Sequence, residues 1–392
     1  MPQPPGTEAS GLVVHEWGTF TSVQSSAGTL MQGLHHEEEA LPPFVYGRAG
    51  LLGPGATSAP AGGKSLEVMP TGVTQKLETP VLYFYGSGPA RSLDVRVRVD
   101  FPRGVISEWY PNAATFGPAL GSVVVPERGF MEWRAALSPT VTPADFPAVP
   151  AEDIWAPSRR VASLPLAVGA EREQFIFYRG LGAFQLPLAV EVGADGLMNI
   201  RNLSSDASPA VFLLRVHEGG GAIIELGPLP GGGSIPGVPS PIGGKEHNLD
   251  VYVANAQTRI AGALEATGLY ADEARAMVDT WSKSYFRSYG LRILYVVPRA
   301  WTDGLLPLTV EPAPKELIRT LVGRVEVLAP AEEQSLVVLV TDASARAVPA
   351  ATVITQLGRL AEPKLRRALE LVTDPAVRTW CQNAVTLAAT TP

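Results

Sequence analysis

Cysteine is nearly missing from this chain of 392 residues: Cys381 stands alone, which excludes an intrachain disulfide. Histidine is scarce too, with five residues, so the place of each one carries information. There is no basic excess. Lys and Arg number 31 against 38 Asp and Glu, a net charge of −7, so the electrostatic footprint of a nucleic-acid binder is lacking. No apolar run approaches the roughly 18 residues of a membrane span. The longest runs, 291–297 and 335–340, have strand length. The N-terminus has neither a basic n-region nor an apolar h-region, so no signal peptide is expected. Residues 1–11 read as a disordered leader, either ordinary or the tether left by a removed export signal. Catalytic signatures are missing as well. Without a Gly-x-Ser-x-Gly elbow, a Cys-x-x-Cys pair or a dinucleotide fingerprint, serine-hydrolase, redox-thiol and Rossmann readings start low.

Glycine (39) and proline (36) are abundant, well above the usual combined share of about 12%. With 46% hydrophobic residues, this composition gives a large core cut by many turns and argues against an all-helical bundle. The expected fold class is α+β: β-rich, antiparallel, sandwich-like sheets with a helical C-terminal portion. The clearest strand is 93–100 (LDVRVRVD), whose valines face one side and whose charges face the other. Further short strands are expected at 81–85, 105–109, 174–178, 186–192 and 211–216, and Asp195-Gly196 marks a hairpin. A β-rich domain over 12–226 is followed by 227–244, a Gly/Pro-rich flap or linker. That segment lacks the Gly-Lys-Ser/Thr ending of a phosphate loop. The portion 245–392 is mixed α/β and either folds alone or completes the first domain. Its expected helices are 255–267, 271–289, 315–321 behind Pro314, 363–373 and 374–388, the last holding Cys381 as a buried thiol.

Three of the five histidines fall within 22 residues, near acidic groups. In 13–20 (VVHEWGTF), a strand would put His15, Trp17 and Thr19 on one face and Glu16, Gly18 and Phe20 on the other, unless Gly18 permits a bulge. In 34–41 (LHHEEEAL), a short helix would set His35 and His36 beside Glu38 and Glu39, a spacing able to grip one divalent ion. A core histidine and a solvated acidic turn are the competing readings. Taken together, the segments point to a metal held by His15, His35, His36 and Glu39, with zinc, iron, manganese or copper as candidates. Bound water would then be activated with Glu16 or Glu38 as general base, a hydrolytic reaction on a small-molecule or peptide substrate. Oxidative chemistry on the same ligands is one alternative. A non-catalytic extracytoplasmic binding or structural protein is the other. Glu108, beside Trp109 and Tyr110, is a weaker candidate acid, and Tyr178 with Arg179 a candidate substrate contact. His217 and His247 read as surface residues.

The segments HEWGTFT at 15–21, ETPVLYFY at 78–85, EWYP at 108–111 and FYRG at 177–180 resemble a set of uncharacterised bacterial proteins. The resemblance covers about 12–330. It implies one shared architecture and favours export, periplasmic or secreted, over the cytoplasm. It carries no activity and no functional residues.

Overall fold

The computed structural model describes residues 10–34, 36, 40–48, 71–86, 92–118, 126–239 and 247–390. The chain runs through β1 (Ser10–Gln24), β2 (Tyr46–Gly47), β3 (Gln75–Leu77), β4 (Val81–Tyr85), β5 (Leu93–Phe101), β6 (Gly104–Tyr110), β7 (Thr115–Gly117) and β8 (Gly129–Leu137). Next come β9 (Leu166–Val168), β10 (Glu171–Glu173), β11 (Ile176–Gly182), β12 (Leu188–Val192), β13 (Leu197–Asn202), β14 (Ser208–His217), β15 (Gly220–Leu229) and β16 (Ser234–Pro239). Two helices, α1 (Leu249–Glu265) and α2 (Ala271–Thr280), lead into β17 (Gly290–Val296), α3 (Arg299–Leu305), β18 (Leu308–Glu311) and β19 (Pro314–Val327). The helices α4 (Pro330–Ala345), α5 (Ala350–Leu357), α6 (Ala361–Leu371) and α7 (Pro375–Thr390) follow. The fold is β-rich, its sheets mostly antiparallel, with helices concentrated toward the C-terminus.

A ten-stranded sheet has the order β15-β14-β17-β19-β1-β3-β11-β6-β2, with β4 pairing β1 and β11. Its centre is a parallel pair, β1 on β19, in register from Val13↔Glu316 to Gln24↔Val327. One face packs on the smaller sheet of β5, β8, β9, β10, β18 and β7 through Phe20, Trp109, Trp133 and Tyr178. The other face carries α1 and α2 over Trp17, Tyr83, Phe212 and Trp281. At the Val23 end of β1, the helices α4–α7 form a third cluster with Met31 and Leu34.

Several expectations change. Pro314 opens a strand, not a helix, because β19 is central and buried on both faces for most of its length. Residues 335–340 lie in α4, where Pro330 sits in the first turn with Glu332 and Glu333 to favour the helix dipole. Residues 227–239 carry the end of β15 and all of β16, while 240–246 are outside the described residues. Gly18 makes no bulge; the β1–β19 register runs through it unbroken. Glycine is required there because a Cβ would lie 2.8 Å from the Pro80 backbone.

Candidate functional site

The pleat of β1 separates His15 from Glu16, and each is satisfied on its own face. His15 is 1% exposed and places Nδ1 2.7 Å from Glu273 Oε2. Glu273 stands in the first turn of α2, where the same oxygen accepts from the Tyr270 amide at 2.8 Å. One carboxylate thus holds both a helix start and an imidazole. The rings of Tyr85 and Tyr270, 5.0 and 4.5 Å from His15, wall the imidazole from solvent. Burial and then the negative charge of Glu273 push the Tyr85 phenol far up, so it stays protonated.

On the opposite face, Glu16 accepts from the Tyr178 hydroxyl (2.7 Å) and from Arg319 Nε (2.6 Å). Arg319 also donates to Asp303 at 2.8 Å. Burial alone would lower the Arg319 pKa; the Glu16 charge outweighs it and holds the guanidinium charged. For Tyr178, burial and then Glu16 push the phenol well up. Glu16 is therefore the acceptor of an interior ion pair, with both oxygens engaged.

Arg179 turns inward, 3% exposed, and donates through Nε to the Glu78 carbonyl. Glu108 accepts from the neighbouring Ser107 hydroxyl and lies opposite Arg179 in the β6–β11 register. Farther along the same interior, Glu78 pairs with Arg359 at 2.7 Å. Glu326 joins Arg292 (3.0 Å) and Arg324 (2.6 Å), and Arg324 lies 4.0 Å over the Tyr285 ring. Of the remaining histidines, His217 Nδ1 is 2.7 Å from the Glu218 carbonyl, and His247 bridges Gly221 through its backbone.

Of the expected ligands, His15 and His36 make separate contacts. His36 reaches the Ala388 carbonyl of α7 through Nε2 at 3.0 Å, beside the cluster that holds Met31, Leu34 and Val23. His15 lies eight residues up β1 from Val23, roughly 26 Å of strand at about 3.3 Å per residue. Leu34, His36 and Ala40 belong to no helix; His35, Glu38 and Glu39 are outside the described residues. No group of three His, Cys, Asp or Glu able to hold a metal ion occurs among the described residues. The expectation of a metal-dependent hydrolase is corrected accordingly, and so is the oxidoreductase alternative built on the same ligands.

A different feature is open to a partner. A groove of about 530 Å³ runs between the C-terminal half of α1 and the sheet. Gly262, Ala263 and Ala266 form its helical wall; Val296, Ile318 and Thr320 lie along the sheet side. Small side chains on α1 keep the groove open, and a Cβ at Gly262 would meet nothing within 4 Å. Arg259 on α1 and Glu225 on β15 are exposed and line it. Neither has an ion pair or hydrogen bond among the described residues. Arg299 also lines it but is held by Asp303 (2.8 Å) and the Leu317 carbonyl (2.9 Å).

Sequence reasoning missed Glu273, Arg319 and this groove. For the groove a signal existed: Gly262 and Ala266 are four apart, one face of an Ala-rich helix with Arg259 one turn earlier. For Glu273 and Arg319 there was none, since each meets its partner across more than 250 residues.

No protein-family profile matches the sequence, and no curated protein matches it. Solved structures do match, at low similarity. The Fcho1 Mu homology domain of Danio rerio, with a bound Eps15 peptide, is 7% identical at a TM-score of 0.30; the match covers 82% of this chain and 98% of that one. The yeast delta-COP-I mu-homology domain is 7% identical at 0.28, covering 82% and 97%. The same yeast domain complexed with a Dsl1 WxWxV peptide is 7% identical at 0.27, covering 82% and 98%. Scores this low establish no common fold. No helix among the described residues is long and apolar enough to cross a membrane.

Proposed function

We propose that this chain is a non-catalytic binding protein that uses a sandwich-like β body as a rigid scaffold. The groove between α1 and the sheet holds an extended peptide segment of a partner. One observation carries the reading: four of the polar groups that sequence alone marks for chemistry are sequestered in the interior, whereas the groove offers small apolar walls and charged groups free to meet a ligand. His15, Glu16, Tyr178 and Arg179 are all buried and hydrogen-bonded within the chain. The groove volume of about 530 Å³ falls within the usual ligand-pocket range of roughly 300–1,000 Å³. A lane with Gly and Ala on one side lets a main chain approach the helix closely.

The test is an array of immobilised twelve-residue peptides, uncharged, acidic, basic and mixed, probed with the full chain. Two variants fill the groove: Gly262→Trp and Ala266→Trp. Gly262 is exposed and its missing Cβ faces open space, so the first change leaves the core intact and improves helix propensity. Retention of a peptide subset by the wild type, reduced at least tenfold in both variants, is expected. Retention unaffected by both tryptophans, or no retention on any class, overturns the reading.

A further inference from the structure

Two of the charged residues that line the groove, of opposite sign and on different elements, have no partner among the described residues. Arg259 projects from α1, and Glu225 belongs to β15 across the groove. Both are exposed, and neither is engaged by any described residue. This contrasts with the other two charged residues of the lining: Arg299 already pairs with Asp303, and Arg319 with Glu16 and Asp303. An occupant lying between these walls meets a cation on one side and an anion on the other. A uniformly acidic segment would gain at Arg259 and be repelled at Glu225; a uniformly basic one would face the reverse.

We infer that the groove selects a bipolar peptide segment, one that sets a carboxylate against Arg259 and an ammonium or guanidinium against Glu225, and that this pairing fixes the direction in which the segment lies. The inference rests on the groove being the peptide site and adds its charge specificity and polarity. The apolar body of the segment would lie along the lane past Gly262 and Ala266, where the helix side chains are small. Extended peptide alternates its side chains between two sides, so an acidic and a basic residue an odd number of positions apart face opposite walls. Rim charges of this kind act on selectivity and association rate more than on total affinity, and their effect is screened by salt.

The experiment uses fluorescein-labelled twelve-residue peptides with an Ala/Val/Thr body. Four versions carry Glu then Lys three positions later, Lys then Glu, Glu with Glu, or Ser with Ser. Binding to the full chain is followed by fluorescence anisotropy at low and at high salt. Either mixed peptide is expected to bind about fivefold tighter than the Glu/Glu and Ser/Ser versions at low salt, an advantage that shrinks at high salt. One mixed order is expected to exceed the other. Arg259→Glu or Glu225→Lys alone should abolish the advantage. The double charge swap should restore it with the opposite order preferred. Equal binding of all four peptides, still blocked by Gly262→Trp, would refute the charge specificity while leaving the peptide groove standing. Loss of the preferred order with no recovery in the double swap would refute it as well. Absence of binding by every peptide would remove both the specificity and the groove reading beneath it.

Discussion

The charged residues fall into two populations that behave oppositely. Inside the large sheet, His15–Glu273, Glu16–Arg319, Glu78–Arg359 and Glu326–Arg292 are closed pairs with side chains at most 9% exposed. Along the groove, Arg259 and Glu225 stand exposed with no partner among the described residues. A buried charge must be paired, because leaving it alone costs several kcal/mol of lost solvation. An exposed charge has no such constraint and remains available to a ligand. Charge at the interior therefore reports on folding, and charge at the rim reports on recognition.

The contrast breaks most visibly at Arg319. Replacing it by Met leaves the Glu16 carboxylate buried with only the Tyr178 hydroxyl to support it. We expect a loss of about 3–5 kcal/mol in urea denaturation. Adding Glu16→Gln should recover part of that loss, since the two residues share one interaction. A loss below about 1 kcal/mol would mean that this pair behaves like a surface pair.

Acid offers the next lever. Burial alone would raise the Glu78 pKa, but Arg359, Lys76 and Arg179 outweigh it and lower the group from 4.5 to about 2. A depressed carboxylate stabilises the folded state above its unfolded pKa. Its contribution, on the order of 3 kcal/mol, should fade as pH falls from about 4.5 toward 2. Urea midpoints measured across that window should fall more steeply in the wild type than in Arg359→Ala. Parallel profiles would show that Arg359 does not hold the carboxylate down.

The smallest effect is expected at the groove. Arg259→Ala and Glu225→Ala should each change stability by less than about 0.5 kcal/mol, since neither removes an internal bond. A larger loss in the urea midpoint would move these residues into the structural population and blunt the contrast.

How much of this was legible in the sequence depended on distance along the chain. β5 was readable because alternation on a half-wet strand is a local pattern: Val95, Val97 and Val99 are buried while Asp94 and Arg96 are exposed. β19 was not, because a strand buried on both faces loses its alternation, and Pro314 at its start mimics a helix opening. The division of β1 into a His15 face and a Glu16 face followed from the pleat alone. What each face would meet did not follow, since Glu273 and Arg319 are supplied by elements 258 and 303 residues away. Clustering of histidines in the sequence suggested a shared site; the length of β1 and the turn into the α7 cluster separate His15 from His36 instead.

The parallel seam between β1 and β19 also constrains how the chain matures during synthesis. Val13 finds Glu316, and Gln24 finds Val327, only after about 300 further residues have been made. At roughly 5–20 residues per second, the first strand waits some 15–60 s with its central neighbour unmade. Through that interval Trp17 and Phe20 lack part of the wall that later buries them, so the nascent chain keeps apolar surface uncovered until its last strand leaves the ribosome.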